Sequence, residues 1–147
     1  MAASAWSYYN YFREYIGNGQ VDLDGTSVGF YMALHTSAAS ANVNTATLST
    51  EASLANEVGS GNGYTTGGAS VTSRTWASVA TDKYRFDSTA VVWTATGGTI
   101  ANINYAVVYQ SGGKLVCFSN LTTSQFTLAQ DNTLTVTPSA SGIFELA

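Results

Sequence analysis

Tyr105-Ala-Val-Val-Tyr-Gln110, Ser111-Gly-Gly113 and Lys114-Leu-Val-Cys-Phe-Ser119 form the stretch on which the fold turns. Two apolar runs of strand length flank a Gly-Gly turn, the pattern of a β-hairpin. Tyr105, Val107 and Tyr109 alternate with Ala106 and Val108, so both faces of the first run are apolar. Such a strand is central in its sheet or lies at a subunit contact. On either side of the hairpin, strand candidates recur about every 8 to 12 residues. They cover 28–35, 69–76, 83–87, 90–96, 125–128, 133–137 and 143–146, with turns at Asp87-Ser88, Gly97-Gly98 and Asp131-Asn132. The spacing predicts an all-β chain: an antiparallel β-sandwich, jelly-roll-like.

Two segments depart from that pattern. In the first, Trp6, Tyr8, Tyr9, Tyr11, Phe12, Tyr15 and Ile16 crowd ahead of Gly17-Asn18-Gly19. A helix fits, with Ser4 or Ser7 as its cap and Gly17 or Asn18 as its left-handed stop. A strand is the alternative, because Tyr and Phe favour strands. In the second, 48–58 predicts a short helix capped by Ser49 or Thr50, with Glu51 in its first turn and Leu54 and Val58 on one face. Residues 36–47 read as an exposed polar loop. The expected organisation is an N-terminal arm, 1–19, and a β-sandwich domain, 20–147.

Composition narrows the classes. At 147 residues the chain is one domain with an arm. Only 10% of residues are charged, yet 12% are aromatic, which excludes a disordered chain. The net charge is −4, and Arg13, Arg74, Lys83, Arg85 and Lys114 are scattered. Nucleic acid is therefore not an expected partner, since phosphate binding needs clustered cations. Cys117 is the sole cysteine, which excludes an intrachain disulfide and a cysteine metal cage. No stretch reaches the ~20 apolar residues that span a bilayer, and the N-terminus lacks the pattern of a secretory signal. The expectation is a soluble protein with no membrane partner, made in a reducing cytoplasm.

Catalytic constellations are not apparent. His35 is the sole histidine, and the Gly-x-Ser-x-Gly elbow of a hydrolase does not occur. Cys117 inside Leu-Val-Cys-Phe reads as a small core residue. Gly59-Ser-Gly61-Asn-Gly63 lacks the strand before, helix after and Lys-Ser/Thr of a phosphate loop, so it reads as turns around a buried Tyr64. Asp22-Leu-Asp24-Gly25 begins like a calcium loop but lacks the further ligands, and reads as a surface turn. Glu14, Glu51, Glu57, Asp82, Asp87, Asp131 and Glu145 are dispersed in the chain, with no glycosidase pair identifiable. Trp76 and Trp93 could build a sugar platform, although core packing is the commoner fate of aromatics in a sandwich. No catalytic residue, cofactor or metal ligand is assigned.

Phe30-Tyr-Met-Ala-Leu34-His-Thr-Ser37, a polar loop, and Leu54-Ala-Asn56-Glu57-Val58-Gly-Ser-Gly61-Asn-Gly63-Tyr64-Thr-Thr-Gly67-Gly68 resemble a family of small tailed-phage virion proteins. Val92-Trp93-Thr94 and Asn104-Tyr-Ala-Val-Val-Tyr109 extend the resemblance over about residues 28–119. Asn62 and Thr66 stand where that pattern more commonly has Thr and Ala, and 1–19 lies outside it. The resemblance implies a capsid decoration (cement) protein with no enzymatic activity, located on the virion surface after synthesis in the host cytoplasm. Its implied partners are the major capsid protein and itself, as a homotrimer. The rival expectation is a tail-fibre or baseplate adhesin domain that binds host carbohydrate. Trp6, Tyr8, Tyr9, Tyr11, Phe12, Tyr15 and Ile16 are the expected partner-binding residues, because aromatics encircling a helix cannot all face one sandwich.

Overall fold

The computed structural model describes residues 5–39 and 48–147. Most of the 36–47 polar loop lies outside the described residues. In chain order the elements are β1 (Ser7–Tyr8), α1 (Asn10–Gly17), β2 (Phe30–His35), β3 (Ala69–Ser70), β4 (Thr75–Ala80), β5 (Lys83–Asp87), β6 (Val91–Thr94), β7 (Ile100–Ile103), β8 (Tyr105–Gln110), β9 (Lys114–Asn120), β10 (Phe126–Leu128), β11 (Thr133–Val136) and β12 (Phe144–Leu146). All the pairings are antiparallel, and the chain is an all-β sandwich. The main sheet runs β1-β9-β8-β2-β3, and against it stand β12-β5-β4 and the ladders β11-β6 and β10-β7.

The β8–β9 hairpin forms as its sequence predicts, and every residue of β8 is buried. β8 lies between β9 and β2, so its two apolar faces reflect a central strand. A register shift between Val108 and Tyr109 sets Leu115 opposite Tyr109 but Cys117 opposite Val108. Residues directly across a ladder share a face, so the bulge sends Leu115 and Cys117 to opposite faces. Two-residue spacing alone would have kept them together. Between the sheets, Phe30 meets Phe86 at 5.3 Å and Phe86 stacks on Phe144 at 5.2 Å.

Three local expectations are corrected. The 48–58 helix is only a 3-10 turn at Glu51–Ser53, because the next residues pair with β2 instead. Val58 N–H donates to Leu34 O and Thr36 N–H to Asn56 O, which satisfies a strand edge that β3 is too short to cover. The single strand over 69–76 is broken at Ser73, whose φ of 50° lets the chain leave β3 in one sheet and enter β4 in the other. The aromatic helix begins only at Asn10, with Tyr9 as an extended cap, and the left-handed stop is Gly19 at φ 69° rather than Gly17 or Asn18.

Candidate functional site

The aromatic N-terminal segment is shared between a strand and a helix. Ser7 and Tyr8 pair with Phe118 and Cys117 of β9, and α1 then lies against the same strand. Because the chain is extended through Tyr9, neighbouring aromatics point to opposite sides. Tyr8 enters the inter-sheet core, 5.3 Å from Phe144, while Tyr9 meets Phe118 at 5.2 Å. One turn on, Phe12 packs edge-on to Phe144, and the Tyr15 hydroxyl donates to Ser49 O at 2.9 Å.

This placement corrects the expectation that all seven residues face a partner. Tyr9, Phe12 and Tyr15 are buried in the chain's own fold. Trp6 and Tyr8 are half-buried and line a cleft of about 380 Å3 with Ser139, Ser141, Ile143 and Phe144. Tyr11 and Ile16 remain outward, 36% and 37% exposed. The seven residues did not have to surround one helix, because Tyr8 lies in β1 and Tyr9 is an extended cap, so the helix begins only after them.

A second outward apolar group lies on the β4–β5 hairpin. Val79 is 41% and Tyr84 47% exposed, and the Tyr84 ring packs 5.3 Å from the half-buried Trp76. Trp93, by contrast, is buried, so the two tryptophans do not form a joint platform. Lys83 and Arg85 both reach Glu145 on β12, at 3.1 and 2.8 Å. Hydrogen bonds from Arg85 and then Lys83 hold the Glu145 carboxyl below the usual carboxylate range.

The remaining sequence candidates are interior. His35 is fully buried; burial lowers its pKa, and its Nε2 has no partner among the described residues. Cys117 is also fully buried, and burial alone pushes its thiol well up. His35 pairs across β2–β8 with Tyr105, whereas Cys117 sits opposite Val108 and Tyr8, so nothing unites them. Tyr64 is a buried anchor, as its flanking turns suggest. Its hydroxyl donates to Glu57 at 2.6 Å and accepts from Leu34 N–H, and Gly67 N–H also donates to Glu57. Gly63, at φ 91°, approaches the Thr94 carbonyl too closely for any side chain. Burial, followed by the Glu57 charge and a hydrogen bond to it, raises the pKa of Glu51. This meeting of two carboxyls is invisible in the sequence, because the expected helix would have presented them differently. The Asp22–Gly25 segment is a turn in which Gly25 N–H donates to Asp22 at 2.8 Å.

The chain matches no family model, no curated protein and no solved structure.

Proposed function

We propose that the chain is a non-enzymatic virion structural protein of a tailed phage, which decorates the capsid by binding the major capsid protein shell. The observation that supports this best is the exposure of Tyr11 and Ile16 along the two margins of the helix face that Phe12 and Tyr15 lock to the sandwich. Aromatic and aliphatic side chains held rigidly at a surface lose little entropy on docking, which favours permanent assembly. Self-association as a trimer belongs to the same reading, and many copies on a symmetric shell bind by multivalent contact through modest individual interfaces.

The test is co-sedimentation with expanded capsid shells, together with light-scattering mass, for the native chain and Tyr11→Ser/Ile16→Ser. The native chain is expected to pellet with shells and the folded double variant to stay in the supernatant. Unchanged pelleting by the variant overturns the assignment of these two residues to the interface, and failure of the native chain to bind any shell overturns the function.

A further inference from the structure

The geometry points to a saccharide site: the cleft between the 22–26 turn and the 71–76 corner takes a neutral pyranose. The cleft has a volume of about 380 Å3 and is lined by Leu23, Asp24, Thr26, Ser73, Arg74 and Trp76, among others. That volume lies within the range of small-molecule sites.

Among the described residues, Arg74 is the one cation that lines the cleft. Its guanidinium carbon stands 4.7 Å from the centroid of the Phe30 ring, and Nη2 donates to Gly25 O at 3.2 Å. Nη1 is buried with no acceptor, and no carboxylate lies within ion-pair distance among the described residues. The chain retains this cation although Asp24, which lines the same cleft, forms no ion pair with it. The corner that carries Arg74 is itself held in an unfavourable conformation, with Ser73 at φ 50°. Non-glycine residues in that region are costly and concentrate at functional positions.

The lining selects the ligand class. A guanidinium supplies donors, a carboxylate supplies acceptors, and the half-buried Trp76 indole supplies an apolar wall. A pyranose needs all three: its hydroxyls accept from the first and donate to the second, and its C–H face packs on the third. An anion is repelled by Asp24, by nearby Asp22 and by the net charge of −4, and a cation is repelled by Arg74. The inference is independent of the capsid reading, since no residue of the proposed shell-binding face lines this cleft.

The full chain, titrated with D-glucose, D-galactose, D-mannose and N-acetylglucosamine, tests the site by amide NMR and tryptophan fluorescence. D-glucuronate and inorganic phosphate serve as anionic probes. A saturable response to a neutral sugar, with shifts confined to 22–26 and 71–76, is the expected result. Asp24→Asn, an exposed change that leaves the fold intact, is expected to weaken it about tenfold, the value of one charge-assisted hydrogen bond. Trp76→Ala is expected to abolish it. No saturable response to any of the four sugars overturns the proposal. So does a response that survives Asp24→Asn unchanged, or tighter binding of either anion. Loss of sugar binding with shell binding intact, or the reverse, separates the two proposals.

Discussion

The Tyr8 hydroxyl donates a 2.6 Å hydrogen bond to the backbone carbonyl of Glu145, joining the first strand to the last across 137 positions of sequence. Around that bond Tyr8, Phe12 and Phe144 contact one another, so the N-terminal segment helps to close the sandwich core.

Phe12→Ala is accordingly expected to destabilise the fold by about 3–5 kcal/mol, the cost of emptying a fully buried aromatic position. Tyr8→Phe, which keeps the ring and removes the bond, is expected to cost only about 1 kcal/mol. Urea midpoints for the two variants check the ratio. Equal small losses would mean that the segment detaches freely from the sandwich.

Gly68 and Gly17 are expected to respond oppositely to a methyl group. Gly68 has φ 74°, and a Cβ there would run into the Met32 carbonyl. Gly68→Ala should therefore cost about 3 kcal/mol, from backbone strain and overpacking together. Gly17 ends α1 with open space around it, so Gly17→Ala should be neutral or stabilising by up to about 1 kcal/mol. Thermal midpoints measured side by side decide the contrast.

His35 gives the fold an acid sensitivity. Burial holds its folded pKa below the ordinary 6.5, despite opposing contributions from the Ala55 carbonyl and Glu57. Between the folded pKa and 6.5 the unfolded chain binds more protons than the native one, so stability falls as pH drops through that window. Glu51 acts in the opposite sense: its folded pKa is raised above 4.5, so its contribution declines as pH rises from there. His35→Gln retains Glu51, and the difference between the two stability–pH curves therefore isolates the histidine. The expected difference curve is flat above pH 6.5 and slopes below it; a difference flat throughout would show that His35 does not titrate on unfolding.

Cys117 should be chemically silent in the native state. Its thiol is fully buried and held well above its ordinary pKa by that burial. Labelling by a thiol reagent is expected to track global unfolding. Cys117→Ala should cost about 1 kcal/mol through the loss of one small apolar contact. Fast labelling in native buffer would contradict the placement of this strand.

What the sequence determined was local. Alternation and the Gly-Gly turn were enough for β8 and β9, because a hairpin needs only neighbours in the chain to find its register. Burial of Tyr64 and Cys117 was legible for the same reason, each lying within a run whose flanks allow one reading. What depended on distant partners was not legible. Glu57 and Val58 were drawn out of the expected helix because β2 offers an open edge, a fact about residues more than twenty positions away. Ser7 to Tyr9 became extended because Ser7 and Tyr8 could pair with Phe118 and Cys117, and this decided which aromatics are buried. The Arg74 cleft arises where Ser73 turns the chain from one sheet to the other, opposite a turn some fifty positions earlier. Propensity and period act over a few residues, whereas edge pairing and side-chain convergence are settled only when the sheets close.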